Sequence, residues 1–390
     1  MSQRHLVRRK TSHLAKYKSS LSSDNFILRK ERCNVIQVQD TISVIICCYT
    51  EQRWEDLLAA VASVRRQTLR ASEIIVVVDH NPLLLRRVQE YLPDVVPMEN
   101  KGSRGLSGAR NSGIARARGS LIAFLDDDAV AMPDWLQLLQ EDLRNPQVLG
   151  TGGAVLPLWS QQRATWFPEE FLWVVGCTYR GMPQTGSSIR NPIGANMAFR
   201  REVFDGIGGF LSEIGRVGTR PVGCEETELC IRARQHWPQR RFHYKPEASV
   251  SHRIPANRMT WRYFSARCYA EGLSKAFVTK QVGTDAGLAS ERTYTLKILP
   301  EAIWRGFVEA FVTHDWSGIA RSVAILLGLL ITILGYVVAV LHLACARSKR
   351  ACPSHALTQD SSNTPQTSSM QMVSADGKAL LSSGKGKTHA

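Results

Sequence analysis

No C-x-x-C pair occurs among the nine cysteines, an odd and scattered set (Cys33, Cys47, Cys48, Cys177, Cys224, Cys230, Cys268, Cys345, Cys352). A disulfide framework or zinc site is therefore not expected, and a reducing compartment is the simpler setting. No G-x-G-x-x-G follows a strand-like run, and neither G-x-x-x-x-G-K-S/T nor G-x-S-x-G occurs. A dinucleotide oxidoreductase, a P-loop enzyme and a serine hydrolase would each lack the phosphate loop or nucleophile turn they rely on. The basic N-terminus has no apolar run behind it, so no secretory signal is expected.

Acidic residues are scarce beside basic ones, 34 against 49, which gives a formal net charge of +15. Residues 1–40 carry nine Lys/Arg against three Asp/Glu, and residues 346–390 carry six against two. The excess thus belongs mainly to the tails, where it suits an anionic membrane surface or simple solvation, and no nucleic-acid partner is expected. From Val323 to Cys345 there is no Asp, Glu, Lys or Arg (VAILLGLLITILGYVVAVLHLAC). A helix of this size spans a hydrocarbon core of about 30 Å. The alternative is a buried core helix, although apolar runs of that kind are usually shorter.

Between the tails the pattern alternates. ISVIICCY, 42–49, is an apolar β-rich run suited to a strand buried on both faces. Trp54 to Gln67 has Leu57, Leu58, Val61 and Val64 at helical spacing, and EIIVVVD, 73–79, reads as a second strand. Strand, helix, strand is a βαβ unit with a parallel sheet. A Gly- and Arg-rich helix near 105–118 leads to a third strand, SLIAFLDDD, ending at Asp128. Polar residues gather at the strand ends (Tyr49 and Thr50, Asp79, the Asp triplet), where open α/β sheets bind ligands. A short helix, Trp135 to Leu143, is followed by a Gly-rich strand region, 148–156. The stretch on to about residue 220 is rich in Trp, Pro and Gly and reads as loops on the acceptor side, not as more sheet. A helix from Glu225 to His236, two β-like runs (RFHYKP and SVSH) and a helical region over 261–280 complete the core.

Asp126, Asp127 and Asp128 force three like charges together at a strand end, which is costly without a bound cation. A hard divalent ion, Mg²⁺ or Mn²⁺, takes carboxylate oxygens and can bridge a diphosphate. Solvated loop acids or a helix N-terminus would be the plain structural alternative.

In order along the chain come CYTE (48–51), Asp79, A-R-N-x-G (Ala109, Arg110, Asn111, Gly113) and FLDDD (Phe124–Asp128). They are followed by G-x-N-x-A-x-R-R (Gly194, Asn196, Ala198, Arg200, Arg201), GGF (208–210), an acidic segment CEETELCIR (224–232), and V-x-H (Val250, His252). This ordered set, over roughly residues 42–280, resembles family 2 glycosyltransferases. The resemblance implies a GT-A fold: an α/β domain over 41–285 with a mixed, mainly parallel sheet flanked by helices. Around it the chain divides into a basic flexible arm (1–40), an amphipathic juxtamembrane region (286–322), a C-terminal transmembrane helix (323–345) and a disordered tail (346–390). Through VVVD and the acidic helix start the chain is similar to archaeal-type glucuronosyltransferases acting on glucosyl-dolichyl phosphate.

The resemblance also implies roles. Thr50, Glu51 and Asp79 contact the nucleoside of a nucleotide-sugar donor, probed further by Asn111 and by Asp127 near the ribose. Arg110 faces the diphosphate, where a guanidinium fork suits phosphate oxygens. Asp126 and Asp128 bind the metal. Asn196 and Arg200 fall on the acceptor side. Position 226 aligns with the general base, but Glu226 stands where the family usually has Asp, and Glu225 and Glu228 remain competitors. These acids also suit a helix N-terminus without any catalytic role. His252 is open between metal ligand, phosphate contact and structural residue. Gly215 to Gly223 reads as a loop closing over donor or as a surface connection.

One base and no protein nucleophile imply an inverting transfer. The Q-x-x-R-W motif of processive synthases is missing, which favours single addition over polymerisation. The expected function is transfer of one sugar, UDP-linked, to a lipid-linked or glycan acceptor at membrane lipids; a protein, small molecule or cell-wall glycan is the alternative acceptor. A noncatalytic membrane-anchored binding protein is the contrasting reading, and it predicts loss of metal-binding acids that are all present. The catalytic domain is expected on the cytoplasmic side of a single span, although Arg347, Lys349 and Arg350 after the span pull the other end inward, and Arg305 and Arg321 compete.

Overall fold

The computed structural model describes residues 40–183, 186–213, 215, 223–283 and 292–351. The arm expected over 1–40, nearly all of the tail and most of the 215–223 loop lie outside the described residues.

The chain folds around an eight-stranded sheet of order β3-β2-β1-β4-β9-β6-β10-β8. Its strands are β1 (Ile42–Cys48), β2 (Glu73–Val78), β3 (Val96–Glu99), β4 (Leu121–Asp126), β6 (Val148–Gly152), β8 (Ser188–Ile189), β9 (Asn196–Arg200) and β10 (Arg241–Tyr244). A smaller sheet, β5-β11-β7, contains β5 (Ala129–Ala131), β7 (Val155–Trp159) and β11 (Val250–Ile254). β1 to β4 pair in parallel, as the alternating strands and helices predict. Alternate residues of a strand point to opposite faces. Val44 and Ile46 accordingly join one core with α1 (Trp54–Arg65), α2 (Pro82–Tyr91) and α4 (Trp135–Leu143). Ile45, Val77 and Phe124 join the other with α3 (Leu106–Arg116), α5 (Arg201–Ile207) and α6 (Glu225–His236).

Two expectations change. The stretch read as loops contains β9, which inserts antiparallel between β4 and β6, two strands that run in the same direction. Its five residues, NMAFR, are too short to show a period against the surrounding Gly and Pro. The strand region over 148–156 is two strands, with β6 in the large sheet and β7 in the small one, separated by Gly153 and Ala154.

Three helices follow the sheets: α7 (Trp261–Val282), α8 (Leu299–Val312) and α9 (Ser317–Ala351). The helix read as 323–345 begins six residues earlier, at Ser317, and the stretch Ser317–Cys345 is long and apolar enough to cross a membrane. Only 28% of its most apolar window is buried, unlike a core helix. α9 enters the core at Ile325 and crosses α7 closely. A Cβ at Gly272 of α7 would collide with the Thr332 carbonyl of α9, and one at Gly335 with the Tyr269 carbonyl, so both positions require glycine. α8 buries small residues (Ala302, Gly306, Ala310) and turns Trp304, Phe307, Val308, Phe311 and Val312 outward. Of the cations before the apolar stretch of α9, Arg305 pairs with Glu170 and Glu309, and Arg321 with Glu309 and Asp315.

Candidate active site

Register brings the acidic edge together. Cys48 of β1 lies opposite Val78 of β2, and Cys47 opposite Asp126 of β4. Thr50 and Glu51, Asp79 and Asp126 therefore share one sheet edge. Thr50 Oγ1 accepts from the Gln52 amide at 3.3 Å, and Glu51 Oε2 accepts from Asn81 Nδ2 at 3.1 Å. Asp79 accepts from Asn100 Nδ2 at 2.6 Å and from the Gly105 amide at 2.9 Å, which ties the start of α3 to the end of β2.

The small sheet supplies the next component. Antiparallel pairing of β11 with β5 sets His252 opposite Ala129, one residue past the triplet, and His252 Nε2 lies 3.0 Å from Asp128 Oδ1. Asp126, Asp128 and His252 each offer a ligand atom, and these atoms lie within 4.8 Å of one another. Two carboxylates with an imidazole fit a divalent ion that takes oxygen and nitrogen donors, Mn²⁺ or Mg²⁺. The neighbouring charges divide the triplet. Burial works against ionisation of Asp128, but His252, Arg53 at 3.2 Å and Arg258 at 3.5 Å hold it well below the usual carboxylate range. Burial and the charge of Asp128 push Asp127 up to about 7, against Arg53 at 2.8 Å, and its Oδ2 is buried with no hydrogen-bond partner.

The acidic pair opens α6 after Cys224, a non-glycine residue held in the left-handed region (φ 74°). Glu225 Oε1 accepts from Arg110 Nη1 at 2.8 Å. Arg110 is almost wholly buried; its Nη2 donates to the Gly194 carbonyl and stands 3.5 Å from Asp126. It is a brace between Asp126 and Glu225, which replaces the expected open phosphate fork. Glu228 is held by Arg232 one turn on. Among the described residues no cation pairs with Glu226, whose carboxyl burial and the adjacent Glu225 push up to about 8 while Arg110 pulls the other way. Geometry therefore separates three acids that the sequence left as competitors.

A cavity of about 690 Å³ joins these groups. Asp126, His252, Arg110, Glu225 and Glu226 line it, and so do Arg190, three polar residues of α7 (Arg267, Glu271, Lys275), and Leu329, Thr332, Ile333 and Tyr336 of α9.

Three expected site residues are engaged elsewhere. Asn111 exchanges hydrogen bonds with the Phe210 backbone, donating to its carbonyl at 2.7 Å and accepting from its amide at 2.8 Å. Asn196 is fully buried and bridges Trp135, the Ala154 carbonyl and the Ala248 carbonyl. Arg200 donates to the carbonyls of Leu143, Asn145 and Val148. Because β9 runs antiparallel, Arg200 pairs with Leu121 at the start of β4, away from the end that carries Asp126.

Residues 43–208 match the model of the Glycosyl transferase family 2. Over 238 residues the chain is 36% identical to the glucosyl-dolichyl phosphate glucuronosyltransferase of Haloferax volcanii, covering 60% of this chain and 76% of that protein. The chain belongs to glycosyltransferase family 2. This glycosyltransferase is also 31% identical, over 29% of its length and 45% of the relative's, to the amylovoran biosynthesis glycosyltransferase AmsE of Erwinia amylovora. Among solved structures it is similar to the mannosyltransferase PcManGT of Pyrobaculum calidifontis in complex with GDP-Man and Mn²⁺. The TM-score is 0.50 at 16% identity, over 75% of this chain and 88% of that one, a likeness of fold. The glycosyltransferase has the GT-A fold that its motifs imply.

Sequence reasoning missed Arg53 and Arg258, which neutralise the triplet, and Cys177, whose Sγ lies 3.6 Å from His252 Nδ1. It also missed the polar stripe of α7. Arg267, Glu271 and Lys275 stand four residues apart on one helix face, a spacing that was readable but carried no motif.

Proposed function

We propose that this glycosyltransferase moves a single sugar, with inversion, from a uridine-diphosphate-linked donor to a lipid-linked acceptor at a membrane surface. One observation carries the reading: Glu226 lines the same cavity as Asp126 and His252, while Glu225 and Glu228 are each tied to an arginine. A single available carboxylate suits one-step displacement, in which Glu226 takes the proton from the acceptor hydroxyl as that oxygen attacks the anomeric carbon. The bond from that carbon to the diphosphate breaks, and its electron pair leaves with the phosphate.

Asp126, Asp128 and His252 would hold Mn²⁺ or Mg²⁺, which when bound offsets the charge developing on the departing nucleoside diphosphate. Thr50, Glu51 and Asp79 sit where a nucleoside's ribose hydroxyls and base N–H could donate to them. Arg110 keeps Glu225 neutralised and Asp126 oriented, and Arg53 keeps Asp127 and Asp128 from repelling each other apart. The lipid-linked acceptor is favoured by the named substrate of the Haloferax volcanii relative and by the apolar helix α9 in the cavity wall. α9 crosses the membrane in this reading, with the catalytic domain on the cytoplasmic side, where nucleotide-sugars are made. Pairing of Arg305 and Arg321 with acids weakens their claim on that orientation.

The test uses the full chain in lipid nanodiscs with Mn²⁺ and a panel of nucleotide-sugars, with nucleoside diphosphate release as readout. Slow donor cleavage by the wild type and none by Asp128→Asn is the expected result. If no nucleotide-sugar binds in the presence of metal, the reading is wrong.

A further inference from the structure

The cavity has a second charged cluster, away from the triplet, that the transfer chemistry does not use. Arg267, Glu271 and Lys275 form one stripe along α7, and Arg190 faces the same cavity from the segment after β8. Lys275 Nζ lies 3.1 Å from Glu271, and Arg267 Nε donates to the Val174 carbonyl at 3.3 Å, so the stripe is held in place by the protein. The stripe is also tied to the start of α6. Cys224 Sγ lies 3.5 Å from Glu271 Oε1, and the Gly223 amide donates to Ser274 Oγ at 3.1 Å. Glu226, two residues beyond Cys224, therefore lines the same cavity as the stripe.

The other neighbour of the stripe is apolar. α7 meets α9 backbone to backbone at Gly272, one residue from Glu271, and Thr332, Ile333 and Tyr336 of α9 line the cavity. Ile333 is also 49% exposed. A membrane-length helix thus forms part of the wall of a cavity that contains three cations and a base. A molecule matching those features has a hydroxyl to present to Glu226, an oxyanion beyond it, and a hydrocarbon chain.

We propose that Arg190, Arg267 and Lys275 form an oxyanion subsite that binds the phosphate of a lipid-linked acceptor, with the lipid chain lying along α9. This rests on the reading that the enzyme glycosylates a lipid-linked acceptor. Guanidinium and ammonium groups bind phosphate oxygens through charge-assisted hydrogen bonds, and two guanidiniums with one ammonium give the fork and point contacts such a group takes. A carboxylate on the donor sugar offers the same oxyanion chemistry and is the rival source.

The probe is phytanyl phosphate, with phytanol as its uncharged control, added to the full chain in phosphatidylcholine nanodiscs and read by displacement of a fluorescent lipid. The wild type should bind the phosphate more tightly than the alcohol. Lys275→Gln and Arg190→Gln should each weaken phytanyl phosphate roughly ten- to hundredfold, the range for a lost hydrogen bond to a charged group, and leave phytanol unchanged. Lys275→Arg should retain binding. Equal wild-type affinity for phosphate and alcohol overturns the subsite whatever the variants do. A loss confined to UDP-glucuronate binding, with UDP-glucose unaffected, moves the subsite to the donor carboxylate and overturns the acceptor assignment. Donor cleavage with Mn²⁺ by the wild type is measured in parallel, so that absence of any nucleotide-sugar binding is read as failure of the transfer reading and not of the subsite.

Discussion

The two walls of the cavity are built differently. On the wall of Asp126 and His252, the candidate metal-holding side chains belong to strands or to the residue just past them, and backbone pairing sets their position. Charges there interlock: Arg53 lies against Asp127 and Asp128, Arg258 against Asp128, and Arg110 between Glu225 and Asp126. On the wall of α7 and α9, position comes from two helices crossing at glycines, and the charges form a stripe of like sign around one acid. A sheet edge holds atoms to a fixed geometry, as a metal and a diphosphate need. A helix crossing can shift to admit a long flexible chain, and only its cations must stay in place.

The sharpest way to break this comparison is to strike the sheet edge. Asp128→Asn keeps the volume but removes the charge that His252, Arg53 and Arg258 surround. Donor turnover with Mn²⁺ should fall roughly 10³-fold, which is several kcal/mol of lost charge stabilisation. Next, Glu226→Gln should lower kcat by roughly 10²–10⁴-fold, the range for a lost general base, with donor affinity unchanged in equilibrium binding. The sign of the pH response follows from the same group. Only ionised Glu226 can take a proton, and its carboxyl is pushed up to about 8. Wild-type kcat/KM should therefore rise from pH 6 and level off above pH 8, and the residual activity of Glu226→Gln should lack that rise.

The helix wall is tested by Gly272→Ala, whose Cβ alone overpacks the α7–α9 crossing, at a cost of about 1–3 kcal/mol. Thermal melting in detergent should fall by a few degrees and acceptor KM should rise, while donor affinity stays the same. Equal damage to donor binding would mean that the two walls are one unit. The smallest effect belongs to Asn111→Ala. It removes two hydrogen bonds to Phe210 and should lower stability by about 1–3 kcal/mol, with kcat/KM per folded molecule unchanged.

The same contrast explains what the sequence disclosed. The parallel strands were legible because apolar runs of six or seven residues have one explanation, and a carboxylate directly after such a run must lie at the sheet edge. α4 and α6 matched their expected bounds to the residue. β9 was missed because its direction depends on neighbours far away in sequence, and that error also misplaced Arg200. Asn111 and Asn196 could not be sorted by residue type, since an amide that clamps backbone looks the same in sequence as one that binds a sugar. Arg110 lines the cavity, but its partner Glu225 lies 115 residues away, so its role as a brace could not be read in sequence. The wall of α7 and α9 was nearly invisible, because Arg190, α7 and α9 come together only in three dimensions.

The crossing at Gly272 and Gly335 makes the apolar helix part of the cavity and not merely a tether beside it. Proteolysis between α8 and α9 would also remove one side of the chamber. On the proposed reading in which α9 crosses a membrane, such an enzyme is not shed in working form: the cut that frees it from the bilayer also disarms it.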